Sequence, residues 1–279
     1  MKNKKSVMFG ALALVLLSGL SAASTTFAWF TTTRTASLTF SDATVGSNDS
    51  NLVVTYAGTL NTFGTVTDAN NEITITGLNR VTDISGNGLN FYKPKWSSIE
   101  HVASSINEVT TAEDYFIDFV LKIERQGDSP TPNGIKVYLG ANTKISPVDA
   151  SKPHDVDAVN AVRMAVISYA DAARTSPALI ELHSPVAETS PKYIVKDVAG
   201  TAYTVNGYKL HDASAEINSD PFVTKLSEAE GPTHQIADLS SDSEAYVGFR
   251  FWIEGTDAEA TKEKALGGMF KVALDIYSL

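Results

Sequence analysis

An alternation of period two runs through much of this chain, and it limits the fold more than any other feature. In Asp114–Ile123, Tyr115, Ile117, Phe119, Leu121 and Ile123 share one face, and Asp114, Phe116, Asp118, Val120 and Lys122 share the other. Successive side chains of a strand point to opposite faces, so the pattern predicts a strand with one face on a core. Ser243–Glu254 repeats it, with Val247, Phe249, Phe251 and Ile253 against Tyr246, Gly248, Arg250 and Trp252. So does Met269–Leu279, with Phe270, Val272, Leu274 and Ile276 facing inward. Leu52–Tyr56, Glu72–Thr76, Leu89–Trp96 and Val159–Tyr169 read as further strands, and Ile135–Leu139 as a neighbour of Asp114–Ile123. Ser41–Asn51, Asn61–Asn71 and Ala141–Asp157 read as turns and loops.

Thr256-Asp-Ala-Glu259 has the spacing of a capping box, which predicts a short helix to about Leu266, ended by Gly267-Gly268. About eight to ten strands and one or two short helices predict an all-β chain, an antiparallel two-sheet sandwich of jelly-roll-like form. Residues 170–243 carry Pro177, Pro185, Pro191, Pro221 and Pro232. They read as an insertion or decorated connection within a single domain spanning 29–279.

The N-terminus obeys a different logic. Lys2, Lys4 and Lys5 precede the apolar run Val7–Leu17, and small residues follow from Ser21 to Ser24. A basic tip, a short apolar core and small residues make a secretory signal peptide, here 1–28. The run reaches the ~20 apolar residues of a membrane-spanning helix only if Ser18, Gly19 and Ser21–Ser24 are counted. Membrane contact is therefore expected only through the signal segment before cleavage, with a retained anchor as the second choice. Cleavage after Ala28 places Thr26 at −3 and Trp29 first in the mature chain; cleavage after Ala23, with Ser21 at −3, competes. Beyond the junction, Phe30, Ala36, Leu38 and Phe40 share a face of a Thr-rich segment, so Trp29–Phe40 reads as an N-terminal strand with a partly apolar side.

Composition removes several functions. Cleavage after Ala28 leaves 251 of 279 residues and, with three lysines lost, takes the formal charge from −10 to −13. A field of that sign repels phosphate backbones, so nucleic acid is excluded as a partner. The chain has no Cys, which excludes a disulfide scaffold and a thiol nucleophile. No His-Glu-x-x-His, Gly-x-Ser-x-Gly, P-loop or Gly-x-Gly-x-x-Gly stands in it. His101, His154, His183, His211 and His234 are too far apart in sequence for an i, i+4 metal pair. The reading is therefore not an enzyme, with no catalytic residues and no bound cofactor.

Acidic residues cluster at Asp155/Asp157, Glu228/Glu230, Asp238/Asp242/Glu244 and Glu254/Asp257/Glu259. None matches an EF-hand loop. A solvated acidic surface is the first reading, and Ca²⁺ bridging at surface loops the second. Trp29, Tyr92, Trp96 and Trp252 could stack on sugars, but they are scattered, and core or interface packing is the better reading.

Thr26-Phe-Ala-Trp-Phe-Thr31 after a basic tip and an apolar run resembles the signal junction of TasA/camelysin-type exported proteins, which a dedicated signal peptidase processes. Phe251-Trp252-Ile253-Glu254-Gly255-Thr256-Asp257 resembles their C-terminal Trp-Ile-Glu-Gly motif with a nearby Asp. Asn160-Ala-Val-Arg-Met-Ala-Val166 resembles their Asn-Ala-x-Arg strand. The resemblance covers about fifty residues and none of 170–243. It implies a secreted, cell-surface-associated jelly-roll subunit of extracellular fibres or biofilm matrix. Such a subunit has its own copies and a signal peptidase as partners, and self-assembles by donor-strand complementation through the N-terminal strand. The proteolytic activity of the camelysin branch is not carried over, because no protease constellation stands here. The alternative is a monomeric cell-surface β-sandwich that binds a glycan or calcium.

Overall fold

A computed structural model describes residues 37–46, 51–69, 71–96, 103–126, 135–140, 142–185, 192–197, 199–200, 202–206, 210–212, 235–240, 243–257, 259–260 and 266–278. In chain order the strands are β1 (Ser37–Gly46), β2 (Leu52–Thr59), β3 (Thr65–Ala69), β4 (Glu72–Thr82), β5 (Ser85–Gly86), β6 (Phe91–Trp96), β7 (Ala103–Val109), β8 (Phe116–Arg125), β9 (Lys136–Leu139) and β10 (Lys144–Pro147). After helix α1 (Pro153–Asn160) come β11 (Val162–Tyr169), β12 (Ala178–Ser184), β13 (Lys192–Lys196), β14 (Ala202–Asn206), β15 (Leu210–Asp212), β16 (Gln235–Asp238), β17 (Glu244–Ile253) and β18 (Met269–Ser278).

The first sheet runs β16-β9-β18-β1-β4-β3, with β10 also on β18; the second runs β15-β12-β11-β17-β8-β2. The chain passes back and forth between them: β1, β3–β4, β9–β10, β16 and β18 in one, β2, β8, β11–β12 and β17 in the other. This is the all-β, two-sheet sandwich that the alternation predicts, jelly-roll-like in its repeated crossing. Pairing is antiparallel except at β1–β18 and β12–β15.

The core lies where the two inner faces meet. Ile117, Phe119, Leu121 and Ile123 of β8 and Val247, Phe249, Phe251 and Ile253 of β17 are buried against Ile73, Ile75, Val272 and Leu274 of the first sheet. The Phe119 ring stacks near Phe249 and Phe251, at centroid distances of 5.8 and 5.9 Å. The second sheet is also covered on its outer face. Phe116, Val120, Ala165, Ile167 and Trp252 form a second cluster with Ile84 and Phe91 from the β5–β6 region. This is why the other face of β8 carries Phe116 and Val120 rather than surface residues.

Several boundaries differ from expectation. The strand continues through Ser41–Gly46, read as a turn, because Ala43 and Val45 are buried between β4 and β18. Asn61–Asn71, read as a loop, contains β3, and β9 pairs with β16 and β18 rather than with β8. The stretch 170–243 supplies β12 and β15 to the second sheet and β16 to the first, while β13 and β14 pair as a separate hairpin. Pro177 and Pro185 flank β12 and so leave its ladder intact.

The described helix overlaps the end of Ala141–Asp157, read as loop, and the start of Val159–Tyr169, read as strand. Pro153 opens α1, and Asp155 accepts hydrogen bonds from the backbone N–H of Asp149 (3.1 Å) and Met269 (3.0 Å), tying the helix to β18. Gly268 fits there because a Cβ would stand 2.4 Å from Ala158 Cβ. The predicted capping box does not form over the described residues. The Thr256 hydroxyl shares its one proton between Lys192 O and Glu254 Oε1 (both 2.9 Å), and the Glu259 N–H donates to Asp257. Residues 258 and 261–265 of that predicted helix lie outside the described ones.

Candidate functional site

The sequence points to two places, the N-terminal strand and the Trp252–Asp257 motif. Of the strand residues, Phe30 and Ala36 lie outside the described residues, as do Thr26, Ala28 and Trp29 of the junction. Leu38 and Phe40 lie within β1, opposite Val81 and Asn79 of β4. That strand occupies the middle of the first sheet. It runs antiparallel to β4 from Ser37↔Thr82 to Gly46↔Glu72, and parallel to β18 from Thr39↔Met269 to Gly46↔Asp275. Both registers shift just after Phe40, so an irregularity divides β1 into an outer piece, Ser37–Phe40, and an inner piece from Ala43 onward. The inner piece is apolar where it must be: Ala43 meets Ile75 and Val272, and Val45 meets Ile73 and Leu274, all buried. At the outer end Ser37 and Leu38 pair with β4 alone, because β18 begins opposite Thr39.

The outer edges are managed differently. β3, β15 and β16 are edge strands of five, three and four residues. β2 is longer, at eight residues, and its outward backbone groups are taken by side chains. The Asn71 amide accepts from the Val54 N–H (3.2 Å) and donates to Leu52 O (2.8 Å), and Asp68 accepts from the Tyr56 N–H (2.7 Å). Asn71 does this from the left-handed region, φ 61°, which Asn tolerates better than most residues. Short strands and plugged edges are the usual defences against adding a foreign strand.

The C-terminal motif forms a buried polar knot. Trp252 and Ile253 end β17; Glu254, Gly255 and Asp257 turn away from it. The Glu254 carboxylate, 1% exposed, accepts from Trp252 Nε1 (3.1 Å), Gly86 N–H (3.4 Å), Thr256 N–H (3.2 Å) and the Thr256 hydroxyl (2.9 Å). Burial pushes its pKa up; hydrogen bonds from Ser85 and Trp252 and the Arg163 charge pull the other way. Asp257 pairs with Arg163 of β11, and both side chains are almost wholly buried. The two stretches singled out by resemblance, 160–166 and 251–257, therefore meet here. The knot also holds its neighbours: Gly255 N–H donates to Ile84 O, Glu254 N–H to Ala161 O, and Ile194 N–H to the Ser85 hydroxyl. Its oxygens are taken by donors of the fold, so its role is to fix strand ends. Trp252 is fully buried, edge-on to Phe91 at 5.1 Å, and offers no face to a ligand.

Several carboxylates of the acidic clusters are engaged with groups of the fold. Asp155 holds α1, Glu244 pairs with Lys122 (2.7 Å), and the Asp238 carboxylate, lowered by its bonds to Ser240, caps its own turn. Glu228, Glu230 and Asp242 lie outside the described residues. Among the described residues no three of His, Cys, Asp and Glu are placed to hold a metal ion. Among them also no helix is long and apolar enough to cross a membrane; residues 7–17 lie outside them. Sequence reading missed a further charged group on the outer face of the second sheet, Asp118 with Arg174 and Arg250. Its signal was present: an Asp and an Arg stand mid-strand among apolar residues of β8 and β17.

No family model matches this chain, and no curated protein or solved structure matches it either.

Proposed function

We propose that this chain is an exported structural subunit that polymerises outside the cell into fibres or matrix, joined by strand complementation through its N-terminal strand. The observation that carries this reading is the place of β1. β1, which cleavage after Ala28 would leave close to the mature N-terminus, fills a central slot between β4 and β18, and the first sheet is complete only with it. Only residues 47–51 connect it to β2, which belongs to the opposite sheet. Such a strand can be supplied by its own subunit or by a neighbour with the same hydrogen bonds, the logic of domain swapping and of strand addition. Its parallel contact with β18 is the weaker kind of pairing per residue. The plugged or short outer edges favour this slot over lateral stacking.

Electron microscopy of the purified mature chain tests it, beside a variant lacking 29–36 and a variant lacking 29–40. Fibres are expected from the mature chain and from neither truncation. The shorter deletion leaves β1 whole, so its melting temperature should hold. Fibres that persist without 29–40 would sink the strand-joint mechanism, and a mature chain that stays monomeric would sink the structural reading.

A further inference from the structure

The outer face of the second sheet carries a cleft of about 320 Å³, lined among the described residues by Leu89, Asn90, Tyr169, Arg174, Pro177 and Arg250. Its floor is a charge cluster that does not balance. Asp118 is wholly buried, and each of its oxygens is taken by a different guanidinium. Arg174 reaches Oδ1 with Nε (3.2 Å) and Nη2 (2.8 Å). Arg250 reaches Oδ2 with Nε (3.3 Å) and Nη2 (3.1 Å). Two cations on one carboxylate leave one positive charge over, in a chain whose formal charge is −10.

The donors left over face the cleft. Arg250 lies over the Phe116 ring (4.8 Å) and gives Nη1 to Gly88 O (2.9 Å) and Nη2 to the Tyr169 hydroxyl (3.3 Å). That hydroxyl accepts from Arg250, and its own proton has no acceptor among the described residues. Burial raises its pKa, so it stays a donor. Arg174 spends Nε–H and one Nη2–H on Asp118, which leaves the two N–H groups of Nη1 and the second of Nη2 for a ligand. Among the described residues no carboxylate lines the cleft, and both oxygens of Asp118 are already taken. The ring of Tyr169 is held against Gly248, where a Cβ would stand 2.4 Å from Tyr169 Cε2. Arg174 and Ser176 both adopt left-handed backbone, φ 63° and 51°, in the short β11–β12 loop that delivers Arg174 to the cleft. Non-glycine residues in that region mark loops shaped for a purpose.

We propose that this cleft binds a carboxylate carried on a small, ring-sized body, the chemistry of a uronic acid. Arg174 and Tyr169 donate to the carboxylate, and Leu89 and Pro177 flank the body. The free end of the guanidinium, with one N–H from each Nη in parallel, suits a planar carboxylate, and the volume is that of a small-molecule site rather than of a lone ion. The proposal does not depend on how subunits join.

The test is calorimetric titration of the purified chain with glucuronate, glucose, inorganic phosphate and an N-acetylated, C-amidated glutamate. Arg174→Gln and Tyr169→Phe are titrated in parallel, each with its melting temperature recorded. Saturable glucuronate binding in the millimolar range or tighter is expected, weakened roughly tenfold or more in each variant. Tyr169→Phe keeps the ring on Gly248, so it decides the matter if Arg174→Gln loosens the loop. No saturable glucuronate binding, or binding unchanged in both variants, overturns the site. Glucose or phosphate binding as tightly as glucuronate overturns the carboxylate assignment, and the blocked glutamate doing so reassigns the cleft to a protein partner.

Discussion

Asp83 stands between β4 and β5 with its carboxyl buried and its Oδ1 without a hydrogen-bond partner. Burial pushes its pKa from 3.8 up to about 7, against the pull of Lys93 and a backbone N–H. Its folded-state pKa is the higher one. Between about pH 4 and pH 7 the unfolded chain therefore releases a proton that the native state keeps, and stability falls as pH rises through that window. Each unit is worth ~1.4 kcal/mol, so the penalty above pH 7 reaches a few kcal/mol. Asp83→Asn is accordingly expected to melt well above the parent at pH 8 and close to it at pH 4. Thermal denaturation of both chains across this range checks it; a constant gap at every pH would refute it. The Arg163–Asp257 pair is the opposite case. It is buried but paired, so removing one partner strands a charge, at a cost of about 3–5 kcal/mol.

At the scale of elements, the first sheet is organised around β18, which takes β1 on one side and β9 and β10 on the other. The second sheet is organised around the β8–β17–β11 triplet, buried on both faces. Three side-chain bonds from Asn71 and Asp68 occupy the outward backbone groups of the β2 edge, and we expect them to keep it from pairing with another molecule. Each is worth about 1 kcal/mol within the molecule, but their larger effect is on association. In a chain lacking 29–36, the double change Asp68→Ala with Asn71→Ala should open the β2 edge. Size-exclusion chromatography with light scattering should then show concentration-dependent oligomers that the parent truncation lacks. Elution as a monomer at every concentration would show that something else guards the edge.

At the scale of the molecule, the proposed assembly has the same sheet closed within one chain or between chains, and one covalent lock distinguishes the two. Thr44 and Thr74 are directly opposite on β1 and β4, and the chain has no native Cys. Opposed residues of an antiparallel pair lie within disulfide reach. Oxidised Thr44→Cys/Thr74→Cys is expected to hold β1 in its own subunit and stop fibre growth, which reduction restores. Fibres that grow equally from the oxidised chain would assign the joint to 29–36 alone. Because every subunit carries a strong negative charge, growth should also quicken as salt screens the repulsion.

The period-two pattern determined the strand content, the two-sheet class and the inward faces of β8, β17 and β18, because alternation follows from local geometry and burial. The resemblance singled out 160–166 and 251–257, but not that Arg163 and Asp257 would meet, 94 positions apart. Turn-like composition hid the inner half of β1, since Ser41, Asp42 and Gly46 read as loop until Ala43 and Val45 are placed beside Val272 and Leu274. The two-turn α1 was hidden for a related reason: its periodicity is short, and its anchor, Asp155, bonds to a backbone N–H 114 positions away. The sequence by itself determined that this chain makes sheets with a greasy side. Only the tertiary structure decided which strands share a sheet, that a strand near the N-terminus fills its middle, and that two arginines converge on one buried aspartate. Those are contacts between residues far apart in the chain, and their strength depends on burial that no local pattern records.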